Sequence, residues 1–245
     1  MTFPITEHTV KTARHTTGYL ACGAEAAPLL IFVHGWPELS RSWRHQLPAF
    51  AALGFRCVAP DMRGYGRSDT YPRHEDFAQE VIVQDMLELL TSLDRDKAVW
   101  IGHDWGSPVV WNLAAHHPDK VVGVASLCVP YLSSGFTLET VVPLVDRSVY
   151  PADKFPAGQW DYQCFYEESF DKAVASFEAN IRNVVKALFR KGNPERVGQP
   201  SITAMVRAAG GWFGGGACPD LPRDADVVTE EDVEALAGAL EEALA

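Results

Sequence analysis

The pentapeptide Gly102-His103-Asp104-Trp105-Gly106 sits between the apolar run Ala98 to Ile101 and the helix-like stretch Ser107 to His117. Strand, sharp turn and helix follow in that order, and such alternation of strand-like and helix-like patterns is the signature of an α/β sheet with parallel strands. A glycine two positions to either side of the central residue is what a strained elbow requires, since the backbone doubles back too tightly there for side chains. On that reading Asp104 projects above the sheet, near the N-terminal end of the following helix. A simpler reading makes Asp104 the N-cap of that helix, a task aspartate often performs. Capping alone requires neither flanking glycine.

The rest of the first half repeats the alternation. The continuous apolar run Pro28 to Val33 suits a strand covered on both faces, and Phe55 to Ala59 and Val121 to Leu127 are further strands of that kind. Extended segments at Ile5 to Arg14 and Gly18 to Cys22 predict an edge hairpin. Ser40 or Ser42 is placed to cap a first helix that Gly54 closes, and a second helix is expected from about Glu75 to Leu93. Beyond about Pro130 the strand signals stop. Residues 172–190 read as one helix ending at Gly192 and Pro194, and the segment Gly210 to Gly216, with five glycines in seven positions, as a loop. Thr229-Glu230-Glu231-Asp232 has the form of a capping box, opening a last helix with Val233, Leu236, Leu240 and Leu244 on one face.

A second loop bears on Asp104. His34-Gly35-Trp36-Pro37 leaves the strand Leu29 to Val33, and backbone N–H groups from such a loop and from the residue after a nucleophile can together hold an oxyanion. The donors would be Trp36 and Trp105. Both tryptophans read as walls of an apolar pocket, with a plain core position as the alternative. His34 is better read as a structural residue pinning the loop than as a catalytic one.

Charge and composition narrow the partners. With 21 basic and 32 acidic residues the net charge is −11, and no Lys/Arg-rich run stands out, so a nucleic-acid partner is not expected. No stretch of about 18 apolar residues occurs, and Met1 to Val10 lacks the pattern of a secretion signal, so neither a membrane span nor export is expected. Cys22, Cys57, Cys128, Cys164 and Cys218 make an odd count with no Cys-x-x-Cys pair, which reads as free thiols in a cytoplasmic protein. Histidines and cysteines lack ligand spacing, so neither metal nor cofactor is expected.

Taken in order, His34-Gly35-Trp36-Pro37-Glu38, Ser42-Trp43-Arg44-His45-Gln46-Leu47-Pro48, Ala59-Pro60-Asp61-Met62-Arg63-Gly64-Tyr65-Gly66-Arg67-Ser68-Asp69, Gly102-His103-Asp104-Trp105-Gly106, Asp161-Tyr162-Gln163 and Val228-Thr229-Glu230-Glu231-Asp232 resemble the soluble epoxide hydrolases of the α/β-hydrolase fold. The resemblance implies an α/β class: a core with a mostly parallel sheet over residues 1–130 and a helical cap over 131–245. It implies an aspartate nucleophile at Asp104 and a cap tyrosine at Tyr162 bonded to the epoxide oxygen, with Trp36, Trp105 and Tyr162 against the substrate. On its own residues Tyr162 reads only as an interfacial aromatic. The implied partners are a small apolar epoxide and water.

The same resemblance implies features that are missing from these residues. A histidine base is expected after the cap, yet the last of the eight histidines is His117, and Cys128 and Val129 stand where some relatives carry the orienting acid. A second cap tyrosine is missing too. The expectation is a truncated chain without the last core strands and helices, able to open epoxides through an ester on Asp104 but poorly able to hydrolyse that ester. Haloalkane dehalogenation is the rival chemistry, because it also uses an aspartate elbow. A non-catalytic ligand-binding role is the rival from another class.

Overall fold

A computed structural model describes residues 3–242. Two compact units emerge, one reaching Tyr131 and the other spanning Leu132–Glu241.

In the first unit, β1 (Thr6–Lys11) and β2 (Thr16–Cys22) form the antiparallel edge hairpin read from the sequence. Then follow β3 (Leu29–Val33), α1 (Gln46–Ala52), β4 (Arg56–Pro60), α2 (Gln79–Ser92), β5 (Ala98–His103), α3 (Gly106–His116) and β6 (Val121–Leu127). The sheet order is β1-β2-β4-β3-β5-β6, antiparallel at β1–β2 and β2–β4 and parallel from β4 to β6. All five residues of β3 are buried because helices lie on both faces. Ile31 and Val33 pack with Met86, Leu89, Val109 and Leu113 of α2 and α3 on one side. Leu30 and Phe32 pack with Leu47 and Ala51 of α1 on the other.

Two helix starts differ from expectation. Ser40 and Ser42 lie inside a 3₁₀ turn, Ser40–Trp43, and cap nothing with their side chains; α1 begins only at Gln46. The backbone N–H of Ser40 instead donates to Asp61 Oδ1 at 2.9 Å. The second helix does not begin at Glu75: a 3₁₀ turn, His74–Phe77, is cut off by Ala78 in an extended conformation (ψ 144°), and α2 starts afterwards. Gly54 does close α1, at φ +94°, a left-handed position where glycine carries no Cβ penalty.

A buried ion cluster ties three segments of this unit together. Arg63 grips Asp85 of α2 with two hydrogen bonds of 2.7 and 2.8 Å, and Arg14 from the hairpin turn bonds the same carboxylate. Asp85 was invisible in the helical periodicity because it is a charged residue on the buried face. His15, also buried, bonds Tyr71 Oη at 3.0 Å and stands 3.8 Å from Asp85.

The second unit is helical: α4 (Leu138–Val141), α5 (Asp161–Glu178), α6 (Ile181–Leu188) and α7 (Glu230–Glu242), joined by turns. The single helix expected at 172–190 is two elements, since Asn180 leaves helical geometry and its side chain accepts the Asn183 N–H, capping α6. Gly210 to Gly216 is a set of turns, four of its glycines at positive φ. Thr229 and Asp232 form a reciprocal cap: Thr229 Oγ1 accepts the Asp232 N–H at 3.1 Å, and Asp232 Oδ2 accepts the Thr229 N–H at 3.0 Å. Val233 and Leu236 are buried and Leu240 half-buried; Leu244 lies outside the described residues.

Candidate active site

Strand register brings two loops together. Val33 is paired with Gly102, so the chain leaves β3 as His34-Gly35-Trp36 at the level where it leaves β5 as His103-Asp104-Trp105. These are the carboxyl ends of neighbouring parallel strands, where open α/β sheets place their ligands.

At Asp104 the backbone takes φ +50°, a left-handed conformation that is strained for a residue with a side chain. The turn closes because three neighbours are glycine. A Cβ on Gly102 would lie 2.5 Å from the Gly106 carbonyl oxygen, one on Gly106 2.3 Å from that of Val33, and one on Gly35 2.4 Å from Asp104 Cβ. The Ser107 N–H donates to the Asp104 carbonyl at 2.9 Å, while Ser107 Oγ donates to the carbonyls of Gly102 and Leu127. Asp104 makes no side-chain cap on α3, whose capping position is Trp105. Instead Asp104 Oδ1 accepts the Trp36 backbone N–H at 2.9 Å. The simpler capping reading is therefore replaced by an elbow.

The histidines play different parts. His34 is buried, its Nδ1 2.8 Å from the Gly35 carbonyl and its Nε2 accepting the Met62 N–H at 2.9 Å. These partners fix a neutral ring with the proton on Nδ1, and burial holds its pKa below the usual histidine value. It pins the loop, as its sequence context suggests. His103 meets Glu38 at 3.0 Å, and the hydrogen bond to that carboxylate raises its pKa. Burial works to raise Glu38, but His103 and the Gly35 N–H, at 3.1 Å, outweigh it and keep the carboxylate below its ordinary range.

Glu38 thus joins the two loops by one oxygen. In the sequence Glu38 and His103 stand within the two loop motifs without a role of their own; their meeting follows from β3 and β5 being neighbours in the sheet. Tyr65, from the loop after β4, stacks edge-on against His34 at 5.2 Å, and burial together with the Asp104 charge pushes its phenol up. Cys128 follows β6 at φ +64°, level with the elbow because His103 pairs with Leu127. Burial raises its thiol pKa against a hydrogen bond from the Asp104 backbone.

Asp104, Trp36 and Trp105 accordingly come together in the first unit, with Trp105 37% exposed at the turn. Tyr162 belongs to the second unit, at the start of α5, where its hydroxyl accepts from Gln163 Nε2 at 3.0 Å and its ring meets Tyr166 and Trp212. Neighbouring Asp161 is buried and bonds Arg207 through both the backbone N–H and Nε.

A mostly parallel sheet sandwiched by helices, with an acidic elbow at the end of its fifth strand and a donor loop beside it, defines an α/β hydrolase. Residues 28–159 match the alpha/beta hydrolase fold family, to which the chain belongs. The chain is 37% identical over 209 residues to bifunctional epoxide hydrolase 2 of Sus scrofa, covering 85% of this chain and 35% of that protein. It is 43% identical over 127 residues to epoxide hydrolase A of Mycobacterium tuberculosis, covering 52% of this chain and 39% of that one. Among solved structures, epoxide hydrolase A of Mycobacterium thermoresistibile superposes with a TM-score of 0.76 at 28% identity, over 98% of this chain and 71% of that chain. The chain spans about a third of the length of the curated relatives it matches. No helix of the described residues is long and apolar enough to cross a membrane.

Proposed function

We propose that the chain opens epoxides by nucleophilic attack of Asp104. A carboxylate oxygen bonds to one ring carbon from behind as that same carbon's bond to the ring oxygen breaks, and the released oxygen, still held by the other carbon, takes a proton from the Tyr162 hydroxyl. The product is a hydroxyalkyl ester of Asp104. Water adding to the ester carbonyl would create an oxyanion held by the N–H groups of Trp36 and Trp105, and collapse would release a vicinal diol and restore the carboxylate. The observation that carries this reading is the Trp36 N–H at 2.9 Å from a carboxylate oxygen on a strained elbow. The epoxide hydrolases among its relatives support the choice of substrate class, and the two tryptophans favour an apolar or aryl-bearing epoxide.

The second half-reaction needs a base for water. Every histidine in these 245 residues lies at or before His117. Both ring nitrogens of His34 face backbone partners, and His103 Nδ1 is committed to Glu38. We therefore expect the ester to accumulate. Incubation with a reactive aryl epoxide adds one substrate mass, located on Asp104 by peptide mapping, and Asp104→Asn abolishes it. Tyr162→Phe slows its formation on the order of 10²-fold, as loss of one transition-state donor does. A folded chain that forms no adduct refutes the proposal.

A further inference from the structure

The opposite end of the sheet carries a crevice that the proposed chemistry does not use. Its volume is about 200 Å³, and its lining includes His8, Tyr19, Glu25, Arg56 and Arg95. Arg56 opens β4 and Arg95 precedes β5, so both stand at the amino ends of the parallel strands, away from the carboxyl ends that carry Asp104.

The two arginines are unusual in where their charge goes. In a chain with 32 acidic and 21 basic residues, an arginine readily finds a carboxylate, and Arg63, Arg67 and Arg73 of the same unit all do. Arg56 Nη1 instead donates to the Gly23 carbonyl at 2.8 Å, and Arg95 Nη2 donates to the carbonyls of Glu25 and Ala27. Among the described residues neither guanidinium has an ion-pair partner, and each commits a single nitrogen to the protein. Two planar forks with donors to spare therefore border one small cavity, the arrangement that takes an oxyanion in paired hydrogen bonds. Beside them the rings of His8 and Tyr19 stack at 5.0 Å and 14°, a flat wall that His8 holds by its contact with Thr6 Oγ1 at 2.8 Å.

We propose that this crevice binds a small oxyanion, a phosphate or carboxylate free or borne on a compact flat body, through Arg56 and Arg95. The exposed Glu25 carboxylate lines the same crevice and opposes an anion there, so it tunes the affinity downwards. Bound anion would also clasp the 23–27 loop, whose carbonyls the two arginines already hold, to the start of β4 and the approach to β5. The net charge of −11 works against any anion at long range, which makes the binding dependent on salt.

The test uses the full chain with inorganic phosphate, phenyl phosphate and benzoate, each titrated at constant ionic strength against chloride and followed by calorimetry and thermal melting. Saturable binding and a rise in Tm beyond the chloride control are expected. Arg95→Gln should remove both, and Arg95→Lys, which keeps the charge and loses the fork, should weaken them in a folded protein. Glu25→Gln should tighten binding about three- to tenfold. Tighter binding of phenyl phosphate or benzoate than of inorganic phosphate assigns the site to a ring-bearing ligand lying on the His8–Tyr19 wall, and the reverse assigns it to the free anion. If no anion exceeds chloride with either the original chain or Glu25→Gln, the crevice is a loop clasp and the proposal falls.

Discussion

Gly35→Ala tests whether the elbow and the donor loop are built as one unit. The new Cβ would stand 2.4 Å from both Cβ and Oδ1 of Asp104 and 2.8 Å from its Cγ, where about 3.0 Å is the closest approach real Cβ atoms make. Something must move by about 0.6 Å. On one side is a side chain held by the Trp36 N–H, and on the other is the backbone of the loop itself, so neither can yield without lengthening that hydrogen bond. Overpacking of this kind costs about 1–3 kcal/mol, which for a chain of this size lowers Tm by roughly 2–12 °C. The chemical cost should be larger in proportion, because displacing a reacting group by about 1 Å loses on the order of 10²-fold in rate. Gly123→Ala is the control: a Cβ there meets nothing within 4 Å. Thermal melting and the rate of epoxide adduct formation, measured side by side, should separate the two variants. If Gly35→Ala matches Gly123→Ala in both, the close approach of loop and elbow is not a constraint and the reasoning is wrong.

Other consequences can be measured directly. Asp85→Asn leaves Arg63 buried and Arg14 beside it without their shared carboxylate, so stability should fall by about 3–5 kcal/mol in urea unfolding; a loss under about 1 kcal/mol would show that the cluster contributes little. Burial lowers the folded-state pKa of His15 and His34, so the unfolded chain takes up protons first as pH falls below 6.5, and the stability these residues contribute above that pH is lost on acidification. His103 acts in the other sense, since its raised pKa favours the folded state at low pH and that contribution fades as pH rises above 6.5. With two groups against one, the urea midpoint should fall between about pH 7.5 and 5.5, and His15→Gln should flatten the slope; a flat or rising profile for the original chain contradicts the assignment. Finally, β6 pairs only with β5 among the described residues and shows Val122 60% exposed, so Val122→Lys should reduce light scattering on warming, and unchanged scattering would clear that edge of blame.

Much of the first unit was legible because its signals are local. Gly35, Pro37, Gly102 and Gly106 around two strand ends, and unbroken apolar runs such as Leu29 to Val33, announce backbone conformations that few other sequences share. The failures lie where tertiary contacts override local pattern. Ser40 resembles a cap until its N–H is claimed by Asp61, and Glu75 resembles a helix start until Ala78 turns extended. Asp85 broke the apolar stripe of α2 because two arginines, one of them 71 residues away, make its burial tolerable. In the site, the elbow could be read from its glycines, but the Glu38–His103 contact required knowing that β3 and β5 are neighbours in register. Tyr162 is known to the sequence only through resemblance, since nothing local separates it from Tyr166 four residues on.

The bonds that make the elbow a site span long stretches of chain: Trp36 to Asp104 crosses 68 residues and Glu38 to His103 crosses 65. Loop closure on that scale is entropically costly and comes after local pairing such as the β1–β2 hairpin. On the ribosome, the first hundred residues therefore emerge with their hairpin and first helix able to form while the carboxylate and its donor are still unacquainted. The 2.9 Å bond at Asp104 becomes a late event, complete only when β5 has zipped against β3. A probe that reads this bond would thus time the closure of the central sheet.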